Sequence, residues 1–418
     1  MVSFSPFEAL TPPPQRADEI ASPPYDVVSR DEAATFIVDR PDSLMRVTRV
    51  DALLDPSVSL YSEEAYERAA KEFEGLRSRG ALSRQPSAYY AYAQTMETAR
   101  GPHTQLGLVG VASAQDYRAG RVKRHEFTLP AKEDDRMRLI QRLKAHLGPV
   151  FLTYHAQPDI DALLAQVTAV EPSVDFIAEG GVRHQVWPIH DPDMTHALRV
   201  AFEGLDALYI ADGHHRAAAA ARVGEGASGQ DPRAHFLAVA FPHTQLYLMA
   251  YNRVVHHLNG HSEASLLEAL SARFNVSPFA DHELSEGVPS VALSHRHEWL
   301  MCLGGRWFKL TMSEALLGAV STRDAKAQLA VSVLQDEVLA PLLGVEDPRT
   351  CEHISFVGGI RGLSALAEGT SQGGVAFALY PTSTEEVMEI ADAGEVMPPK
   401  STWFEPKLRS GLFVSSFE

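Results

Sequence analysis

The pentapeptide DGHHR, residues 212–216, combines residue types that can bind a phosphate group. It follows the apolar run 207–211 and precedes five alanines, 217–221, so it lies where a predicted strand meets a strongly predicted helix. Gly213 lets the backbone approach a ligand closely, and the first N–H groups of the helix form an anion site together with the helix dipole. Arg216 adds a forked cation suited to phosphate oxygens. The spacing predicts a phosphate site at the start of this helix.

Three neighbours of these residues complete the motif. Asp212 is placed either to cap the helix or to hold Mg²⁺ beside the phosphate. His214 and His215 are candidate catalytic residues. The alternative is that Asp212 only caps the helix and that the side chains after Gly213 form a solvated first turn. Four polar or special residues directly after an apolar strand favour a functional site.

A second polar segment, KRHEFTLPAKEDDR at 123–136, contains a carboxylate that can act as a general base, Glu126. The zinc-protease pattern H-E-x-x-H is absent, because Leu129 stands where the second histidine is needed. An alternative is a solvated helix start with surface ion pairs, and for the acidic residues 133–135 we prefer it. The same segment provides further candidates: His125 as a catalytic residue, and Lys132 and Arg136 as cofactor-binding cations.

Two proline-containing segments add hydroxyl groups and cations. The segment PPKSTWFEPKLRSGL, 398–412, resembles a phosphate clamp but lacks the glycine spacing of a P-loop. It can also be a tail that is docked by its aromatic residues. The segment SPPYDVV, 22–28, forms either a rigid lip of a pocket or a plain turn. The candidate cofactor-binding residues of the first segment are Lys400, Ser401, Thr402 and Lys407.

Helices and strands alternate along the chain, which predicts a mixed α/β or α+β fold. Helical spacing is found at 62–82, 132–147, 192–204, 262–274 and 324–343, and strand patterns at 87–96, 104–114, 150–154, 206–212 and 235–258. The regions are expected to be an N-terminal α+β part at 1–115, a core with both motifs at 116–260, and a C-terminal α+β part at 261–418.

Composition excludes several classes of protein. The chain has 418 residues, 45% of them hydrophobic, and a formal net charge of −17, which disfavours nucleic-acid binding. Its two cysteines cannot build a disulfide framework or a four-thiolate metal site. The N-terminus does not resemble a secretory signal, and no apolar window is long enough for a membrane helix. We expect a cytoplasmic protein with no membrane or nucleic-acid partner.

Six segments together resemble the bacterial and archaeal DUF1015 family: PFEALTPPP, SPPYDVVSRDEA, SLMRVTR, KRHEFTLPAKEDDR, YIADGHHRAAAA and the terminal MPPKSTWFEPKL. The resemblance spans nearly the whole chain, but the family is one of unknown function. More distantly, a strand followed by DGHHR and a helix is similar to the signature of free serine kinases in the ParB/sulfiredoxin superfamily. This resemblance implies a ParB/sulfiredoxin-like core at 116–260, with the α+β regions packed on it.

The distant resemblance also implies roles for individual residues. Glu126 would take the proton of the substrate hydroxyl, Asp212 would support Mg²⁺, and residues 213–216 would hold the phosphates of ATP or ADP. Sulfiredoxins carry a cysteine where this chain has His214, so sulfinate reduction is excluded. ParB proteins add basic DNA-binding domains, of which this acidic chain shows no sign.

We therefore expect a Mg²⁺-dependent phosphoryl-transfer enzyme acting on a small hydroxylated metabolite, with serine or phosphoserine the best guess. A kinase would use Glu126 to orient a hydroxyl, and a phosphatase would use it to orient water. The alternatives are a nucleotide-binding switch with little turnover and a purely structural interaction protein. The sequence does not give the oligomeric state.

Overall fold

A computed structural model describes residues 1–279 and 293–417 of the chain. The mixed α/β fold predicted from the sequence is confirmed. The strands of the described residues are β1 (Phe4–Ser5), β2 (Ala9–Thr11), β3 (Ser83–Arg84), β4 (Tyr89–Thr98), β5 (Gly101–Ser113), β6 (Val122–Lys123), β7 (Ala145–His146), β8 (Val150–Tyr154), β9 (Val174–Ile177), β10 (Arg183–Ile189), β11 (Leu208–Asp212), β12 (His235–Pro242), β13 (Tyr247–Met249), β14 (Tyr251–Val255), β15 (Phe274–Phe279), β16 (Glu298–Leu303), β17 (Arg306–Met312), β18 (Ile354–Gly358), β19 (Val375–Leu379), β20 (Trp403–Glu405) and β21 (Val414–Ser416).

The α-helices in these two ranges are α1 (Ala17–Ile20), α2 (Arg30–Phe36), α3 (Met45–Thr48), α4 (Glu63–Ser78), α5 (Ala114–Arg118), α6 (Pro130–Leu143), α7 (Pro158–Val167), α8 (Pro192–Glu203), α9 (His214–Val223), α10 (Glu263–Ser271), α11 (Glu314–Val320), α12 (Ala330–Leu334), α13 (Gly362–Gly369) and α14 (Thr384–Asp392). Four predicted helices are thereby confirmed within a few residues at their ends, namely α4, α6, α8 and α10. The exact match of β8 to its predicted range reflects a short apolar run with clear polar boundaries.

The chain divides into two compact units, 1–246 with 406–418, and 247–405. This division differs from the three regions that the sequence suggested. The boundary predicted between residues 115 and 116 falls inside the first unit. β5, which ends just before it, pairs with β12, which comes more than 100 residues later in the chain. The last 13 residues return to the first unit, where β21 pairs with β2 and β7. Such long-range pairing leaves no compositional signal in the sequence.

The first unit is built on a large sheet with strand order β6-β11-β8-β12-β5-β4-β10-β9, and β1 pairs with β5 beside this path. Its central strands β8, β11 and β12 are mostly apolar because both faces are buried, as the fully buried Leu152 and Ile210 illustrate. The strands predicted at 87–96 and 104–114 are confirmed as the antiparallel pair β4 and β5. Gly101, next to the turn between these two strands, is the first residue of β5.

The second unit contains a six-stranded antiparallel sheet, β15-β17-β16-β19-β14-β18, and its own apolar core. The long helix predicted at 324–343 is wrong in extent. Only α12 and the π-helix Gln335–Leu339 form there, because one side chain ahead of α12 and one within it bond to carbonyls of the preceding non-helical turns. Gln328 Nε2 donates to the carbonyl of Arg323, and Ser332 Oγ donates to that of Lys326.

Among the described residues, no helix combines the length and apolar character that crossing a lipid bilayer requires.

Candidate functional site

Two parallel strands bring the two polar segments of the sequence together. β6 pairs with β11 in parallel, with Leu208 opposite Val122. Because the carboxyl ends of parallel strands lie at the same edge of a sheet, the residues that follow them become neighbours. Glu126 follows β6, and Gly213 follows β11. The topology alone therefore places the predicted base next to the predicted phosphate site.

Gly213 begins the helix α9 in a conformation that favours glycine. Its φ is +93°, and it is the N-cap residue without any side-chain cap. The strand before it carries a bulge between Ile210 and Asp212, and such irregularities redirect the side chains that follow. Asp212 therefore does not cap the helix, and the alternative that reduced it to a cap is wrong. The first N–H groups of α9 point out of the helix start without intrahelical partners.

Asp212 lies between two cations. Its Oδ2 accepts a hydrogen bond from Arg216 Nη2 at 2.9 Å, and its Oδ1 lies 3.8 Å from Lys407 Nζ. Burial alone would raise the pKa of this carboxyl group, but Lys407 and Arg216 lower it to about 2. Asp212 is consequently ionised across the physiological range, and the cluster Asp212, Arg216 and Lys407 carries one net positive charge.

Arg216 is held over Gly213 with its side chain only 11% exposed. Its Nη1 donates to the carbonyl of Pro149, just before β8, and Asp26 lies 4.0 Å from its Nη2. Within the described part of the chain, Arg216 Nε is buried and has no hydrogen-bond partner. A buried donor without an acceptor is costly, which is typical of a position that a ligand satisfies.

His214 connects the helix start to the candidate base. Its Nε2 accepts the backbone N–H of His125 at 3.4 Å, so the neutral ring carries its proton on Nδ1. That Nδ1 lies 3.7 Å from Oε2 of Glu126, whose side chain is 46% exposed. Burial lowers the pKa of His214 well below its usual value and that of His125 to about 4, so both rings are neutral at pH 7.

His215 binds the same loop at its other end. Its Nε2 accepts the backbone N–H of Leu129 at 3.0 Å. The two adjacent imidazoles thus hold the loop 125–129 through backbone amides on both sides of Glu126. The sequence predicted His125, His214 and His215 as catalytic residues. Their geometry gives the last two a positioning role for the loop.

If His215 acts by accepting the Leu129 N–H, its replacement by leucine and its replacement by glutamine should have different effects. We expect His215→Leu to speed hydrogen exchange at residue 129, because the amide loses its acceptor, and to lower the phosphoryl-transfer activity expected from the sequence roughly tenfold. We expect His215→Gln to retain most activity and protection, because Oε1 of glutamine can accept from the same N–H. Turnover and hydrogen exchange by mass spectrometry measure both effects. Equal losses in the two variants would show that the acceptor at this position is unimportant.

Two buried glutamines position Lys407. Gln94 on β4 and Gln105 on β5 are opposite each other in the sheet, and both are fully buried. Gln105 Nε2 donates to Gln94 Oε1 at 2.9 Å, and Gln94 Nε2 donates to the carbonyl of Lys407 at 3.0 Å. Buried amides that bond in series fix the backbone of this segment. The lysine is thereby anchored beside Asp212.

The remaining predicted residues fall into two groups. Arg136 on α6 is buried and forms an ion pair with Asp135, whereas Lys132 is exposed on the first turn of the same helix. Residues 400–402 belong to the second unit, whereas Lys407 belongs to the first. There the carbonyl of Lys400 accepts from Arg253, and Ser401 Oγ donates to the carbonyl of Pro398. The cofactor-binding roles assigned to these residues stay predictions.

Sequence reasoning missed Gln94, Gln105 and Pro149 as neighbours of the site. One signal was present: each glutamine interrupts an otherwise apolar strand pattern, in AYAQTM and in TQLGLVG. A polar side chain at a buried strand position requires a partner, and here the partner is a distant backbone carbonyl.

Comparison with known families gives one match. A model of the family described as "Protein of unknown function (DUF1015)" matches residues 4–336. The resemblance inferred from the six segments is confirmed over that range, while the terminal PPKSTWFEPK segment lies outside it. No curated protein matches the chain.

Solved structures give several matches of low similarity. A free serine kinase in complex with ADP is 15% identical, with 70% of this chain and 89% of that chain covered and a TM-score of 0.32. SbnI from Staphylococcus aureus, with a C-terminal truncation, is 14% identical, with coverages of 73% and 87% and a TM-score of 0.37. A conserved hypothetical protein from Pyrococcus furiosus is 14% identical, with coverages of 71% and 92% and a TM-score of 0.31. These scores are low, and the likeness by itself is no evidence of activity.

Proposed function

The chain belongs to the DUF1015 family of proteins of unknown function, and we propose that this protein is a nucleotide-dependent phosphotransferase acting on a small hydroxylated metabolite. One observation carries the proposal: a carboxylate, Glu126, is held beside a glycine-initiated helix start that also carries Arg216 and Lys407. Phosphoryl transfer mainly requires positioned cations and a group that orients the attacking hydroxyl. The described site has both kinds of group at one edge of one sheet.

Each part of the site has a role in the proposed reaction. The amides of the first turn of α9 bind phosphate oxygens, and Arg216 and Lys407 offset their negative charge. Glu126 accepts the proton of the substrate hydroxyl, while the Nδ1–H of His214 faces its carboxylate and keeps it oriented. His215 holds the far end of the loop. Serine is our preferred substrate because the DGHHR segment resembles that of free serine kinases.

Mg²⁺ is proposed as the ion that accompanies the nucleotide. It usually binds through substrate phosphates and one or two carboxylates, and it would neutralise phosphate charge there. Asp212 suits that use with one oxygen, Oδ1, whose nearest cation is 3.8 Å away and not hydrogen-bonded. Within the described ranges, no group of three or more His, Cys, Asp or Glu residues forms a self-sufficient metal site. Asp212 is the residue that we propose to approach a nucleotide-bound Mg²⁺.

A substrate assay tests the proposal. We expect the protein, incubated with Mg²⁺ and ATP or ADP plus L-serine, to form O-phosphoserine that ³¹P NMR and mass spectrometry detect. Phosphoserine incubated without nucleotide distinguishes a phosphatase, which would release inorganic phosphate. A panel of other hydroxylated metabolites covers substrates related to serine.

If this assay shows no turnover, measurements of nucleotide binding distinguish the possible reasons. Tight nucleotide binding with a conformational change and no turnover of any panel member would indicate the nucleotide-binding switch instead. If neither nucleotide nor phosphorylated substrate bound, both the enzyme and the switch would be ruled out.

A further inference from the structure

A cavity of about 50 Å³ lies in the first unit beside Arg216. Much of its wall is apolar, from side chains of α6, β8 and β12. Its polar lining comes from segments that are far apart in the sequence, and the proposed reaction uses only one of these residues. The polar side chains are Tyr25, Thr48, Arg136, His146, Arg216 and Ser410, and the Thr48 hydroxyl already donates to the carbonyl of Leu44.

Three of these side chains are hydrogen-bond donors without an acceptor in the described part of the chain. Arg136 uses Nε and Nη2 for Asp135, and its guanidinium stacks on the Tyr25 ring at 4.1 Å, which leaves Nη1 unused. The hydroxyl groups of Tyr25 and Ser410 also have no hydrogen-bond partner there. Arg136 and Ser410 are more than nine-tenths buried as whole residues, and among the lining atoms in the described ranges only Arg216 Nε is itself fully buried without a partner.

The protonation states of the titratable side chains that line the cavity leave more hydrogen-bond donors than acceptors facing it. Burial raises the pKa of Tyr25 to about 12, so its hydroxyl keeps its proton. Burial lowers the pKa of His146 to about 4, so its ring is neutral. His146 Nε2 lies 3.1 Å from the carbonyl of His235 and donates to it, which leaves Nδ1 as an acceptor. The group that complements the cavity is therefore rich in acceptors.

The volume of the cavity and the charges of its lining limit which acceptor-rich group can bind there. By the same measure of volume a single water needs about 10–15 Å³, so the cavity has room for roughly three or four waters. This suits a carboxylate with one or two carbon atoms and excludes a nucleotide. Arg136 is already paired with Asp135, and Arg216 with Asp212. The nearly balanced charge favours a singly charged carboxylate over a phosphate dianion.

We propose that this cavity binds the carboxylate of a small hydroxy acid or amino acid, with Tyr25, Arg136 and Ser410 as its hydrogen-bond donors. The assignment of that carboxylate to the phosphoryl acceptor rests on the proposed function. The affinity of the cavity for a carboxylate does not.

Calorimetry on the full chain without nucleotide tests the pocket. The probes are L-serine and D-glycerate, each compared with a counterpart that lacks the carboxylate, L-serinamide or glycerol. We expect at least one carboxylate to bind tenfold or more tightly than its counterpart. Tyr25→Phe and Ser410→Ala are each expected to weaken that binding about tenfold, the loss of one hydrogen bond to a charged group. Both variants leave the Arg136–Asp135 pair intact, so they should fold.

A matched control is Tyr90→Phe, because the Tyr90 hydroxyl is buried and has no hydrogen-bond partner among the described residues, yet it does not line the cavity. This variant should bind the carboxylate as the natural protein does. Equal binding of the probes with and without a carboxylate, no binding of either carboxylate, or unchanged binding in both cavity variants would overturn the proposal. Inorganic phosphate that displaces L-serine at equal concentration would overturn the choice of a carboxylate.

The outcomes separate this proposal from the proposed function. Phosphoryl transfer without any preference for substrates that carry a carboxylate would refute the proposed carboxylate pocket but support the proposed phosphotransferase function. Carboxylate binding that depends on Tyr25 and Ser410, with no phosphoryl transfer to any substrate, would support the carboxylate pocket and refute the phosphotransferase function.

Discussion

Glu126→Gln is expected to lower kcat for phosphoryl transfer by roughly 10²- to 10⁴-fold, with little change in the Kd of the nucleotide. Glutamine has nearly the size of glutamate and can occupy the same position beside His214, whose Nδ1 lies 3.7 Å from the Glu126 carboxylate. It cannot take up the proton of an attacking hydroxyl. The loss should therefore appear in the chemical step, and single-turnover rates beside equilibrium nucleotide titrations measure the two quantities separately.

A control for this substitution lies on the next helix. Asp134 on α6 is exposed and bonds to Arg222 at 2.7 Å, away from the loop that the histidines hold. Asp134→Asn removes the same amount of charge and is expected to leave kcat within about twofold, as for a surface ion pair. If both substitutions reduced kcat equally, a general electrostatic effect would replace the role of Glu126 as a base. If Glu126→Gln kept full activity, the proposed mechanism would be refuted.

The central part of the site could be predicted from the sequence because it is local. The apolar run before Asp212 and the alanines after Arg216 define a strand and a helix, and the structure has β11 and α9 there. The run at 150–154 is similarly unambiguous. A short stretch with one strong period and clear ends determines its own secondary structure, and the residues between two such stretches are then fixed in position.

The proximity of Glu126 to Gly213 needed more than local pattern. It depends on the parallel pairing of β6 with β11, and β6 has only two residues, too few for a period to be recognised. Only the resemblance to kinases suggested that the two segments meet. The functions of His214 and His215 were also hidden, because the groups that they bind are backbone amides of the loop 125–129, which any residue type would provide.

Lys407 illustrates a further limit. The sequence grouped it with residues 400–402 as one clamp, because they are close along the chain. The structure assigns them to different units, and the lysine is anchored by Gln94 from the opposite part of the sequence. The predicted helix 324–343 failed for a related reason, since side-chain bonds to the backbone competed with its helical period. Long-range pairing and side-chain competition decide such segments.

Gly213→Ala is expected to raise the Kd of the nucleotide roughly 100-fold, about the loss of two charge-assisted hydrogen bonds. At φ +93° a side chain is strained, at a cost of about 1–3 kcal/mol in the free energy of unfolding. The added Cβ would lie 3.0 Å from Nε and Cζ of Arg216. The guanidinium must therefore shift by a few tenths of an ångström, against its bonds to Asp212 and Pro149. Titration calorimetry and thermal unfolding measure the two effects.

Gly226→Ala separates strain from contact, because Gly226 follows the same helix with φ +73° and open space around its Cβ position. It should cost a similar free energy of unfolding, about 1 kcal/mol or more, and leave the nucleotide Kd unchanged. A difference between the two variants in affinity, but not in stability, would locate the phosphate at the start of α9. If Gly213→Ala bound nucleotide as tightly as Gly226→Ala, the phosphates would have to bind elsewhere, because no tight phosphate contact at this helix start can accommodate a displaced Arg216.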